Sequence, residues 1–164
     1  MKSLILVRHA KSDWGDSNLP DFERPLSERG KKDAPEMARR LLERVPVIDA
    51  FVSSPARRAR KTAQVFAQAY DFPKEAIVLK DELYEPDDRD FNHAISTLDD
   101  RLNTVAIFSH NNGITDFANH LTNAFIDSIP TCGIFAVRIH SDHWHDFMSA
   151  EKHFDFFDHP KAGS

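Results

Sequence analysis

Three short stretches of this 164-residue chain end a hydrophobic run with side chains able to hold an anion. The run LILV, residues 4–7, stops at Arg8 and His9, with Lys11 close behind. A second run, ending at Val52, passes through Ser53, Ser54 and Pro55 into the cationic string RRARK, residues 57–61. A third, residues 104–108, leads to Ser109, His110 and Asn111. Cationic side chains gathered at the ends of buried strands suit the binding of a multiply charged oxyanion such as phosphate. A single strand-end histidine is an ordinary hydrogen-bonded residue. Two of them, each near arginine or a helix start, make a shared site the better reading.

The second stretch carries the clearest physical signal. If Pro55 opens a helix, Arg57, Arg58, Arg60 and Lys61 lie in its first two turns, where the macrodipole already presents positive charge. No Asp or Glu stands between Asp49 and Asp71 to offset them. Such a start becomes favourable when an anion completes it. Side chains running out into water are the plainer account of Arg57, Arg60 and Lys61. Arg58 differs, because it borders the apolar stripe of its helix and shares a face with Thr62 four residues on.

Bringing these groups together requires parallel strands whose carboxyl ends meet along one edge. Residues 4–7, 48–52 and 104–108 read as strands buried on both faces, rich in Val, Ile, Leu or Phe and without alternation. Residues 76–79, 134–139 and 144–149 are weaker candidates, the last two joined through HSDHW as an antiparallel hairpin at the sheet edge. Helical spacing puts Ala34, Met37, Ala38 and Leu41 on one face, Ala59, Ala63, Phe66 and Tyr70 on another, and Ile114, Phe117, Ala118 and Leu121 on a third. A further helix is expected over residues 90–98. This alternation predicts an α/β fold, a three-layer α/β/α sandwich with a mainly parallel central sheet. Open sheets of that kind bind ligands outside the carboxyl ends of their strands. Residues 1–153 are expected to form this single domain and residues 154–164 an extended tail.

Composition narrows the class of partner. A chain of this length buries one ordinary core, and 13 Phe with 29% charged residues place it among folded globular proteins. A net charge of -5 argues against a general nucleic-acid or membrane binder, which needs excess Lys and Arg on one surface. Local cationic clusters are then informative. The single cysteine, Cys132, excludes an internal disulfide and a cysteine-rich zinc site, and reads as a small buried residue. Only a short apolar run precedes Arg8, so no export signal is expected and the chain is placed in the cytoplasm, as a monomer.

RHA after the first strand, SSPARRARKTA after the second and SHNNG after a later one resemble the signature of the histidine phosphatase superfamily, also called phosphoglycerate mutase-like. RHAKSDW followed by RPLSERG, residues 24–30, is most similar to its small SixA-like group of phosphohistidine phosphatases. The resemblance spans residues 4–139. It implies a phosphoglycerate mutase-like fold and a phosphatase that works through a phosphohistidine intermediate without metal or cofactor. His9 is similar to the nucleophile, Arg8 to its phosphate-binding neighbour and His110 to the second active-site histidine. The family pattern of Ser, three residues, Arg-Ala, two residues, Thr-Ala falls on Ser54, Arg58, Ala59, Thr62 and Ala63, so Arg58 rather than Arg57 takes the helix-start role. Lys11, Arg24 and Asn111 are expected around the substrate, an ion pair with Asp21 or Glu23 being the other account of Arg24.

These residue types agree with the chemistry. A histidine nucleophile attacks as neutral imidazole, and arginines nearby lower its pKa from about 6.5 and keep it so. Guanidinium groups hold the equatorial oxygens of a transferring phosphoryl group, and a protonated His110 would add a donor. Basic strand ends leave no magnesium site, and His140, His143 and His145 read as a solvated turn rather than a zinc cluster. Larger relatives carry a glutamate that protonates the leaving oxygen. Here the corresponding stretch, residues 80–91, offers Glu82, Glu85 and Asp87, with Glu85 preferred because Leu83 and Tyr84 could anchor it. So short a loop predicts an open site suited to a phosphate displayed on another protein. Phosphohistidine fits best, since an imidazole leaves with less acid help than an alkoxide. A phosphatase of small phosphate esters and a non-catalytic phosphate-recognition module are the alternatives. Ser27 reads as a helix N-cap.

Overall fold

The structure, a computed structural model, describes residues 1–162. Its centre is a six-stranded mixed sheet in the order β3-β2-β4-β1-β5-β6. The strands are β1 (Lys2–Arg8), β2 (Ala50–Ser53), β3 (Val78–Leu79), β4 (Thr104–Ser109), β5 (Ile134–His140) and β6 (Glu151–Asp158). The first four run parallel, whereas β5 is antiparallel to β1 and β6 to β5. Four helices cover the sheet: α1 (Glu28–Arg44), α2 (Arg57–Ala69), α3 (Asp88–Ser96) and α4 (Gly113–Leu121).

The pleat of β1 divides the core in two. Ile5 and Val7 pack with Met37, Phe51, Phe66 and Phe108 under α1 and α2. Leu4 and Leu6 turn the other way, onto Phe91, Ile107, Phe117 and Trp144 under α3 and α4. Both faces are therefore dry, which is why the central strands read as unbroken apolar runs. Each large side chain so buried contributes about 1.5–3 kcal/mol. The expected three-layer sandwich is the observed one.

The edges differ from expectation. Residues 144–149 are not a strand; Trp144–Asp146 forms a 3₁₀ turn. Trp144 and Phe147, three residues apart, are both fully buried, and a three-residue spacing on one face belongs to a 3₁₀ turn and not to a strand. The hairpin partner of β5 is instead β6, so residues 154–158, expected as tail, are paired in the sheet and the anticipated boundary after residue 153 falls inside a strand. A bulge beside Ala136 and Val137 breaks the alternation of FDFFD that would have revealed it. The last two residues of the expected tail, 163–164, lie outside the described residues.

At the other edge only Val78–Leu79 pairs, and residues 74–76 form a 3₁₀ turn. Helix α2 opens at Arg57 rather than Pro55, because Ser54 Oγ accepts from the Ala56 amide at 3.2 Å and makes the turn itself. Ser27 caps α1 as expected, accepting from the Gly30 amide. A Cβ at Gly30 would stand 2.1 Å from the Lys11 carbonyl oxygen, so glycine lets α1 press against the loop that follows β1.

Candidate active site

Parallel pairing sets the strand ends level. Arg8 lies opposite Ser109 and Ser53 opposite Phe108, so His9 and His110 emerge at one height with Ser54 one residue below. The His9 and His110 rings stand 5.1 Å apart. Both are almost fully buried, at 7% and 5% exposure.

His9 is held from two sides. Its Nδ1 is 2.7 Å from the Ala10 carbonyl oxygen, which can only accept, so Nδ1 carries the proton and Nε2 the lone pair. Arg58 Nε donates toward that Nε2 at 3.4 Å. The Ala10 amide donates to Thr62 Oγ1, whose hydroxyl donates to the Arg58 carbonyl, so the loop after β1 is tied to the first turn of α2. From the other side the Cys132 amide donates to the carbonyls of both Arg8 and His9, an approach made with Cys132 in the left-handed region at φ 61°. Burial, reinforced by the charges of Arg58, Arg8 and Arg24, lowers the His9 pKa to about 3. His9 is therefore neutral, with the lone pair of Nε2 facing Arg58.

Arg58 and Arg24 are as buried as the histidines. Arg58 donates from Nη1 to the Asp21 carbonyl at 2.7 Å and from Nη2 to the Asp21 carboxylate at 3.0 Å. Arg24 donates to the same carboxylate at 2.9 Å and to Ser12 Oγ, and its guanidinium lies 3.5 Å from the centre of the Trp14 ring. The expected pair of Arg24 with Asp21 is thus present, and it belongs to the site. Tyr84 completes the cluster by donating to Asp21 at 2.6 Å, with its ring edge-on to His110. Partial burial pulls the Asp21 pKa upward, but the hydrogen bonds from Tyr84, Arg24 and Arg58 outweigh it and hold the carboxyl far below the usual range. Arg8 donates to the Ile129 carbonyl at 2.8 Å, and burial lowers its own pKa.

His110 is paired through only one of its two ring nitrogens. One ring nitrogen, Nε2, is 2.7 Å from Ser54 Oγ, and the other, Nδ1, is buried without a partner. Burial, with His9 and Arg58 adding, lowers its pKa to about 3, so it is neutral here and would add a donor only on gaining a proton. Asn111 is braced by Ser128 and Thr115.

A cavity of about 440 Å³ collects these groups, with Arg8, His9, Arg24, Arg58 and His110 in its wall and Lys11, Asn111 and the 76% exposed Trp14 at its margin. Every expected site residue lines it except Glu85. Tyr84 turns inward to Asp21, which leaves Glu85 exposed on the outside of the loop. Glu82 pairs with His93, and Asp87 caps α3. Arg57 and Lys61 are exposed, as the plainer account had it, and Arg60 is half-buried. The residues not anticipated as members are Asp21, Tyr84 and Trp14. Trp14 stands in the RHAKSDW stretch and Asp21 lies three residues before Arg24, whereas no local signal marks Tyr84.

The histidine run of residues 140–145 lies at the opposite end of the sheet. There Asp100, His143 and His145 form one exposed group able to hold an ion, and His140, Glu151 and His153 form another, both remote from His9.

A doubly covered α/β sheet with two facing histidines and three arginines at the carboxyl ends of its strands defines a class of phosphate-handling enzyme. Residues 4–94 match the model of the histidine phosphatase superfamily, branch 1. An uncharacterised chloroplastic protein of Arabidopsis thaliana is 30% identical over 155 residues, covering 88% of this chain and 70% of that protein. The chain belongs to the histidine phosphatase superfamily and is a phosphatase. Phosphoserine phosphatase 1 of Hydrogenobacter thermophilus is 36% identical over 89 residues, which are 53% of this chain and 40% of that one. In fold the chain is SixA-like: the protein histidine phosphatase SixA complexed with tungstate superimposes with a TM-score of 0.80 over 96% of this chain and 97% of that one, at 19% identity.

Proposed function

We propose that the chain hydrolyses phosphohistidine on a protein through a covalent phospho-His9 intermediate, without metal. The observation that carries this reading is the state of His9, whose Nε2 bears a lone pair beside Arg58 while Nδ1–H is spent on the Ala10 carbonyl. Nε2 attacks phosphorus, the N–P bond forms, and the bond to the leaving group breaks with its electron pair. Water then attacks phospho-His9 and releases inorganic phosphate. Arg8, Arg24 and Arg58 bind the phosphoryl oxygens, and planar guanidinium pairs suit that charge as it develops. Lys11 and Asn111 sit at the rim, where the rest of the substrate passes. A phosphate dianion in the cavity opposes the burial that keeps His110 neutral, so His110 gains a proton as substrate binds and becomes a donor.

The substrate class follows from the carboxylates. Asp21, the carboxylate held against Arg24 and Arg58, is kept ionised and has no proton to give. Glu85 is outside the cavity. Protonated His110 is then the one proton donor left for the leaving group; without a carboxylic acid an alkoxide is poorly served, whereas an imidazole leaves readily once protonated, its pKa being about 6.5. The fold relationship to a protein histidine phosphatase supports the same reading. The likeness to a phosphoserine phosphatase favours small phosphate esters as the second reading. Comparing kcat/KM for a phosphohistidine peptide, phosphoserine and a sugar phosphate decides between them. The phosphohistidine peptide is expected to be turned over at least about 100-fold faster, on the scale of one missing transition-state group; faster hydrolysis of the esters overturns the proposal.

A further inference from the structure

Four of the nine histidines fall within residues 140–153, at the end of the sheet away from His9. Their side chains sort into two groups. His140 joins Glu151 and His153 across β5 and β6, whereas His143 and His145 meet Asp100 from the loop before β4. The second group is the better built. Its turn is pinned by Trp144, which is fully buried and donates from its indole to the Leu102 carbonyl and from its amide to Asp100 Oδ1, both at 2.8 Å. His143 and His145 flank that anchor and stay outside the core, their rings 5.3 Å apart. Ser141 tightens the same turn, accepting from the His143 amide and donating to its carbonyl, each at 3.0 Å.

Asp100 brings a carboxylate that is already oriented. The Trp144 amide holds Oδ1, which leaves Oδ2 to His143 Nδ1 at 2.9 Å. Backbone donors of this kind fix a ligating carboxylate in many metal sites. One donor atom from each of Asp100, His143 and His145 lies within 4.8 Å of the other two. Ligands around a tetrahedral zinc ion stand about 3.3 Å apart, as its bond lengths require, and exposed side chains close the difference by small rotations. Asp146 adds negative charge 3.2 Å from His145 Nε2. The neighbouring cations are engaged elsewhere: the Met1 amine pairs with Asp142, and Lys2 donates to the Asp100 carbonyl and to Asn103. Two imidazoles with a carboxylate suit zinc and its first-row neighbours, whereas magnesium and calcium take oxygen ligands.

We propose that Asp100, His143 and His145 bind a divalent transition-metal ion of the zinc class, with water completing its coordination, and that the ion clips the loop before β4 to the turn before β6. This site shares no residue with the His9 cavity, so it stands or falls apart from the phosphatase reading. Its test uses the full chain carrying His140→Gln and His153→Gln, which dismantles the neighbouring group. After treatment with chelator and exchange into phosphate-free buffer, that chain is titrated with Zn²⁺ alone by calorimetry and with Co²⁺ alone by visible absorption. One equivalent of each is expected to bind, and Co²⁺ should gain the intensified ligand-field bands of a site with fewer than six ligands. Adding His143→Gln or His145→Gln should weaken binding at least about 10-fold. Both side chains are exposed, so urea unfolding without metal should be unchanged by either substitution. Zn²⁺ should raise the urea midpoint of the parent chain and not that of the His143→Gln chain, because only the folded turn presents the three ligands together. No binding at about 1 mM Zn²⁺, an affinity that shifts by less than about twofold in both variants, or displacement by equimolar Mg²⁺ overturns the proposal.

Discussion

The Ala10 carbonyl fixes the tautomer of His9, and burial with three arginines fixes its charge, so in the proposed reaction His9 attacks without a preceding proton transfer. Because the His9 pKa is lowered to about 3, kcat/KM corrected for substrate ionisation should stay level as pH falls from about 7.5 to about 5. A decline centred near the ordinary imidazole value of about 6.5 would mean that His9 titrates normally. Arg58 presents a planar fork, Nε toward His9 and both terminal nitrogens on Asp21, a geometry lysine cannot reproduce. Steady-state assay of Arg58→Lys is expected to show a loss of about 100-fold or more in kcat/KM despite the retained charge. Asp21 binds two of the arginines and Tyr84 together. On Coulomb grounds Asp21→Asn should tighten phosphate inhibition. We expect kcat/KM to fall by about 10-fold or more all the same, because the arginines lose their anchor. If both constants worsen together, Asp21 acts on binding alone.

Among the elements, what was legible in the sequence is what burial dictates. β1 and β4 are dry on both faces and declare themselves as LILV and TVAIF, and the apolar stripes of α1, α2 and α4 fall where their spacing puts them. The parallel order of those strands then places Arg8, His9, Arg58 and His110 together, so most of the site was readable with them. What stayed hidden depends on contacts distant in sequence. Trp144 enters the core only because Asp100 and Leu102 accept its two N–H groups, and β6 is bulged and half exposed. Asp21 and Tyr84 meet across 63 residues, and nothing in either local sequence announces the encounter. Glycine at residue 30 is a different case, visible as RPLSERG but intelligible only from the Lys11 carbonyl beside it. Gly30→Ala is expected to lose about 1–3 kcal/mol of stability in urea unfolding, because the new methyl displaces the loop that carries His9. A cost below a few tenths of a kcal/mol would show that α1 can move away freely.

For the whole molecule, the same buried histidines make the active site a source of acid lability. His9 and His110 are neutral in the folded chain down to about pH 3, while in the unfolded chain each protonates near 6.5. Between those values the unfolded state binds more protons, so stability rises with pH across this window and is lost as pH falls. Each group contributes a slope of up to about 1.4 kcal/mol per pH unit. Asp21, with its pKa depressed, works in the same direction below the ordinary carboxylate range. Urea unfolding from pH 7 to about 4 should therefore be steeply pH-dependent, and His9→Gln should remove about half of the histidine share of that slope. An unchanged slope would show that His9 is as easily protonated in the folded chain as in the unfolded one.

The most direct test of the central claim is to trap the covalent intermediate. The chain is mixed with ³²P-labelled substrate and quenched in base, and the label is located by peptide mapping. An alkali-stable, acid-labile phosphoramidate on His9, absent from His9→Ala together with turnover, is the predicted result. Label on another residue, or turnover that persists without His9, would contradict the account.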